Sequence, residues 1–133
     1  MCARRREIEI TRPKYSRLMP SRAMVVVGGG ASTRFGQDKL MIEIDGRTLL
    51  EHTIDAVIGH VDMCVVVCRE ETVPIVQKSR PEVVVAAGGT SRTRSEIAGL
   101  FAVDRKVDLV GIHDAARPLV SGGTIEELFE TAN

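Results

Sequence analysis

At 133 residues the chain has the length of about one domain, and its 44% hydrophobic and 27% charged residues exclude disorder throughout. Eighteen basic residues offset eighteen acidic ones, so no net field favours nucleic acid or an anionic membrane, and one Tyr, three Phe and no Trp leave few rings for stacking on bases. No apolar run approaches the ~18 residues of a membrane span, and three cysteines make no disulfide framework, which together point to a reducing, cytoplasmic setting.

Residues 1–22 hold seven Arg/Lys against two Glu and are expected to form a basic, disordered extension, with the folded portion at 23–133. The run 23–27 (AMVVV) is continuous and β-branched, which fits a strand buried on both faces that stops at Gly28-Gly29-Gly30. A helix begins at Thr48, where Thr48 and Glu51 make a capping box, and Leu50, Ile54, Val57 and Ile58 share one face before Gly59 ends it. Residues 63–68 (MCVVVC) form the second strand, with Cys64 and Cys68 on the same face as buried thiols.

A short helix around 71–78 tolerates Pro74 in its first turn. Residues 82–87 (EVVVAA) read as the third strand, and 91–103 as a helix with Ile97, Leu100 and Phe101 on one side. Residues 107–112 supply a fourth strand that leads into His113-Asp114. A second capping box, Thr124 to Glu127, opens a last helix still running at Asn133, so the sequence reads as the amino-terminal portion of a longer domain.

Four strands separated by helices predict an α/β fold: a Rossmann-like, doubly wound, mostly parallel sheet with helices on both faces. Such sheets bind ligands beyond the carboxyl ends of their strands, where three loops emerge, 28–39, 88–95 and 113–123. Those loops carry most of the unusual chemistry.

The first, GGGASTRFGQDK, joins glycines to two hydroxyls and two cations, Arg34 and Lys39. Glycines let backbone N–H groups approach an anion. Gly36 is followed by Gln37 rather than Lys, and Thr33 stands where a dinucleotide fingerprint needs Gly, so neither familiar phosphate loop is present. Two cations on such a loop suit phosphoryl or nucleotidyl transfer, whose transition state gathers charge on non-bridging oxygens. The same composition also suits a solvated polar loop. In the third loop, Asp114 stands at the end of a buried strand and is a candidate for Mg2+ beside substrate phosphates. A turn-capping Asp114, a core His113 and an Arg117 paired with Asp114 are the alternatives.

These motifs, taken in order, resemble the 2-C-methyl-D-erythritol 4-phosphate cytidylyltransferase family. Gly28, Gly29, Gly30 and Arg34 match its first loop, Lys39 and Leu50-Glu51-His52 the segment after it, Gly88, Gly89, Arg92 and Ser95 its second loop, and residues 113–118 (HDAARP) its third. The resemblance implies a nucleotide-diphospho-sugar transferase type of fold, and CMP transfer from CTP to 2-C-methyl-D-erythritol 4-phosphate, in non-mevalonate isoprenoid biosynthesis, with release of pyrophosphate and with Mg2+ present. It further implies Arg34 and Lys39 as catalytic cations at the α-phosphate, and Gly28, Gly29, Gly30, Gly89 and Ser95 as the nucleotide site. Asp114 would serve the metal and substrate, Arg117 the third loop or the substrate phosphate, and the whole protein would be a homodimer. A related polyol-phosphate or molybdopterin nucleotidyltransferase, or a non-catalytic nucleotide-binding fragment, are the other readings.

Overall fold

The computed structural model describes residues 19–28 and 38–133. Gly29, Gly30 and Arg34, and residues 1–18 of the basic extension, lie outside them. In chain order the elements are β1 (Arg22–Val27), a hairpin of β2 (Glu43–Ile44) and β3 (Arg47–Thr48), α1 (Leu49–Ile58), β4 (Met63–Cys68), α2 (Val73–Ser79), β5 (Val84–Ala87), α3 (Arg92–Ala102), β6 (Leu109–Asp114) and α4 (Gly122–Ala132).

The two valine-rich runs make the middle of a four-stranded parallel sheet of order β5-β4-β1-β6. Val25 stands opposite Val65 on one side and Ile112 on the other. Every residue of β4 is buried, as is β1 from Ala23 onward, because β-branched side chains line both faces of these strands and both faces are covered. Met24, Val26, Cys64, Val66 and Cys68 pack beneath α1 and α4, through Leu50, Ile54, Val57, Ile125 and Phe129. Ala23, Val25, Val27, Val65 and Val67 face the opposite layer, over which α3 lies.

Cys64 and Cys68 do lie on one face and are free thiols. Burial pushes both up to about 12. At pH 8 that leaves about one thiolate in ten thousand. Iodoacetamide at pH 8 is therefore expected to leave both unmodified in the native chain and to alkylate both in urea, as read by peptide mass spectrometry. Native-state labelling at the rate of an unfolded peptide would contradict the buried sheet.

α3 corrects the amphipathic reading of its sequence. Its buried residues are Ser95 and Gly99, while Ile97, Leu100 and Phe101 face outward, Phe101 at 76% exposure. The reason is distance. A Cβ at Gly99 would run into Val25 Cγ1 and Val67 Cγ2, so the helix lies closer to the sheet than a large side chain would permit.

Four smaller differences have local causes. β6 begins at Leu109 rather than 107, because a turn from Asp104 to Val107 (N–H to O, 3.1 Å) precedes it, and it runs on to Asp114, opposite Val27. β5 begins at Val84, after a turn in which Val83 N–H donates to Arg80 O (3.3 Å). The cap of α4 is Ser121, whose hydroxyl oxygen accepts the Thr124 N–H (3.1 Å), so the expected box at Thr124 lies inside the helix. Finally, Ser21 and Arg22 belong to the fold and not to a disordered extension. Ser21 donates from N and Oγ to Asp108 Oδ2 (2.7 and 2.9 Å). Arg22 pairs with Glu126 (2.5 Å) and lies over the Phe129 ring. Both ties lie at the amino-terminal end of the sheet.

The capping box of α1 forms as expected, and it explains the segment around it. Leu50 is buried, Glu51 closes the box with Thr48, and His52 Nε2 donates to Ile44 O (2.7 Å), which holds the β2–β3 hairpin to the helix. The hairpin turns at Asp45-Gly46, with φ of 54° and 79°.

Candidate active site

After β1 the chain builds β4 and β5 on one side, then returns to place β6 on the other, so the strand order reverses at β1. In open α/β sheets ligands bind beyond the carboxyl ends of the strands at such a reversal. Gly28 follows β1 at that edge. Its N–H donates to Val67 O (2.7 Å), and a Cβ on it would collide with Leu40 Cδ1 and stand 3.0 Å from Ala115 Cβ. The segment returning from the first loop and the third loop thus meet over a bare Cα. What Gly28 offers a ligand is close approach, because its N–H is already bonded.

Lys39 opens a 3-10 turn, Lys39–Met41, beside that contact. Asp38 caps the turn: Oδ1 accepts the Leu40 N–H (3.2 Å) and Oδ2 accepts the Thr72 hydroxyl (3.3 Å). Leu40 is buried and anchors the turn, which leaves the neighbouring Lys39 exposed with no ion pair to another described residue.

The HDAARP segment folds as a turn in which almost every residue is explained by a bond. Ala115 N–H donates to Val27 O (3.0 Å), continuing the sheet by one residue. Arg117 N–H donates to Asp114 O (3.1 Å), and Asp114 Oδ1 accepts the Ala116 N–H (3.0 Å). His113 Nε2 donates to Arg117 O (2.8 Å). These bonds leave Asp114 Oδ2 for other work, on a side chain 34% exposed. Two guanidinium groups face it, Arg92 at 3.7 Å and Arg117 at 4.0 Å.

Thr53 of α1 supports the turn from below. Its hydroxyl donates to the carbonyl of the fully buried Ala115 (2.6 Å). Thr53→Val keeps the shape but strands that carbonyl, and is expected to cost ~1–3 kcal/mol, measured by urea unfolding. Thr53→Ser is expected to recover most of it, and equal stability of all three chains would remove the support.

The second loop is closed by Ser95. Gly88 N–H donates to Cys68 O (2.7 Å), and Gly89 N–H donates to Ser95 Oγ (3.1 Å), while Ser95 itself is fully buried. Ser95 therefore shapes the loop from inside. Ser91 caps α3 by accepting the Arg94 N–H (3.2 Å), and Arg92 leaves the first turn toward Asp114.

Gly28, Lys39, Gly89, Ser95, Asp114 and Arg117 thus all lie on elements at the carboxyl edge of the sheet. Beside it is a cavity of about 840 Å³, lined by Arg92, His113, Asp114, Arg117, Val120 and Thr124 among others. Among the described residues no group of three His, Cys, Asp or Glu converges. Asp114 is the one carboxylate among the described residues lining the cavity, and a single carboxylate suits an Mg2+ whose remaining ligands come from phosphate and water.

Motif reading matched Arg92 without giving it a role, and it passed over Thr53. Arg92 was legible only as a match in the second loop, although a cation in the first turn of a helix opposes the helix dipole and marks itself as placed for another reason. Thr53 carries no sequence signal beyond a hydroxyl on a buried helix face.

A family model described as 2-C-methyl-D-erythritol 4-phosphate cytidylyltransferase matches residues 22–133. The curated enzyme of that name from Photobacterium profundum is 36% identical over 115 residues, covering 81% of this chain and 49% of its own length. The one from Thermobifida fusca is 37% identical over 130 residues, covering 89% and 51%. Among solved structures, 4-diphosphocytidyl-2C-methyl-D-erythritol synthase from Anaerococcus prevotii superimposes with a TM-score of 0.73 at 25% identity, over 85% of this chain and 51% of that one. The chain therefore spans about half the length of the relatives it matches.

Proposed function

The chain belongs to the 2-C-methyl-D-erythritol 4-phosphate cytidylyltransferase family, and from that premise we propose that it carries the nucleotide site of an enzyme transferring CMP from CTP to 2-C-methyl-D-erythritol 4-phosphate. In that reaction an oxygen of the acceptor phosphate bonds to the α-phosphorus of CTP. The bond from that phosphorus to the β-bridging oxygen breaks, and pyrophosphate leaves. The observation that supports the reading is that, where the strand order reverses, Leu40 and Ala115 close over Gly28 while Arg92 and Arg117 both face Asp114, with Lys39 exposed beside Leu40.

The residues divide the work by their chemistry. Lys39, and Arg34 from the same loop, supply positive charge for the oxygens of the pentacoordinate α-phosphate, where preorganised charge is effective. The 88–95 loop, with its backbone at Gly88 and Gly89 held by Ser95, receives the cytidine. Gly28 allows the phosphates to approach, with Gly29 and Gly30 beside it in sequence. Asp114 would offer its Oδ2 to an Mg2+ ion bound with CTP, which would screen the triphosphate charge, or to an acceptor hydroxyl. Arg117 attracts the acceptor phosphate. A homodimer in the cytoplasm completes the reading for the whole protein.

The test is pyrophosphate release from CTP and Mg2+, with 2-C-methyl-D-erythritol 4-phosphate and with ribitol 5-phosphate as acceptors. Release with the first acceptor is the expected result. Release with ribitol 5-phosphate alone would move the chain to a related polyol-phosphate nucleotidyltransferase. Saturable CTP binding without release would make it a nucleotide-binding module.

A further inference from the structure

We propose that Arg92 is a positioning residue whose guanidinium bridges α3 and the 113–118 turn, fixing the orientation of the Asp114 carboxylate relative to the 88–95 loop. The inference deepens the nucleotide-site reading and rests on it for its consequence, but not for its geometry. α3 packs over β1, β4 and β5. The helix that carries the second loop thus takes its main support from strands other than β6, which carries Asp114. Arg92 crosses between them. Its Nε donates to Glu96 Oε1 (3.0 Å), one turn along the same helix, and this aims the other end of the guanidinium at Asp114 Oδ2, 3.7 Å away.

Asp114 is therefore held at both oxygens, Oδ1 by the Ala116 N–H (3.0 Å) and Oδ2 by the charge of Arg92. Arg117 adds a second cation at 4.0 Å from a more exposed side chain. Arg92 is badly placed for the helix itself, since the first turn of α3 holds no acidic residue and its dipole repels a cation. Glu96 and Asp114 are the carboxylates that offset this. With two arginines against two carboxylates, the group is neutral as it stands. Its function is to orient the carboxylate and does not require Arg92 to capture an anion.

The experiment compares the chain with Arg92→Met and Arg92→Lys, by amide hydrogen exchange and by calorimetric titration with CTP and Mg2+. Arg92→Met is expected to speed exchange of the Ala116 amide about three- to fivefold, the scale of one partly exposed ion pair, with the β1 amides unchanged. It is also expected to weaken CTP by a similar factor. Arg92→Lys, which keeps the charge but lacks the second nitrogen that Glu96 holds, is expected to recover only part of each change. Unchanged Ala116 exchange in Arg92→Met would overturn the proposal, as would an equal rise at β1, which would mean general loosening. Failure of the unsubstituted chain to bind CTP would overturn the nucleotide-site reading instead, with the bridging role still judged by Ala116 exchange.

Discussion

Replacing Lys39 by alanine is expected to lower the rate of cytidylyl transfer about 100- to 1,000-fold, or ~3–4 kcal/mol of transition-state stabilisation, with no change in Tm. The separation of the two effects follows from how the turn is built. Leu40 supplies the buried anchor and Asp38 the cap, whereas Lys39 contributes an exposed side chain with no ion pair to another described residue. Its removal therefore leaves the packing over Gly28 intact and takes away only charge. Arg34→Ala is expected to act on the same scale through the same transition state. Steady-state pyrophosphate release, with thermal unfolding alongside, checks both. A stable Lys39→Ala chain with full turnover would remove this residue from the chemistry.

Gly28→Ala is expected to act in the opposite way, through the fold. The new methyl would have to displace Leu40 Cδ1, stand 3.0 Å from Ala115 Cβ and lie 3.2 Å from the backbone oxygen of Val67. A flexible leucine can move, but a carbonyl in the centre of a sheet cannot do so cheaply, so the expected cost is ~1–3 kcal/mol, or roughly 5–10 °C in Tm. Gly59→Ala is the control, because nothing lies within 4 Å of its would-be Cβ and its φ of −73° suits any residue. Differential scanning calorimetry is expected to find Gly59→Ala close to the unsubstituted chain. Equal Tm for Gly28→Ala would mean that the two loops do not meet as closely as described.

The central strands were legible because their information is local and redundant: AMVVV and MCVVVC are apolar and largely β-branched on both faces, and a sheet interior is where such runs are stable. α1 was equally legible, since Thr48 and Glu51 close their box within four residues. The orientation of α3 was not. Hydrophobicity assigns Ile97, Leu100 and Phe101 to the core, but Gly99 permits an approach to Val25 and Val67 that no larger residue could match, and this distance appears only once the sheet exists. The β2–β3 hairpin went unread although Asp45-Gly46 is a strong turn signal, because its strands are two residues each. At the site, the motifs located the rim, and they did so through residues whose observed bonds are largely structural: His113, Ser95 and Gly28 all hold loops. Arg92 and Thr53 act across long sequence separations, 22 residues to Asp114 and 62 to Ala115, where pattern reading has no reach.

β6 has β1 as its strand partner on one side, and among the described residues no strand pairs with the other. Val110 and Ile112 are about two-fifths exposed, and the run LVGIHD contains no lysine or proline to discourage added strands. Such a border is a template for intermolecular ribbons. Scattered intensity per unit of protein should rise with concentration, and Ile112→Lys should delay that rise.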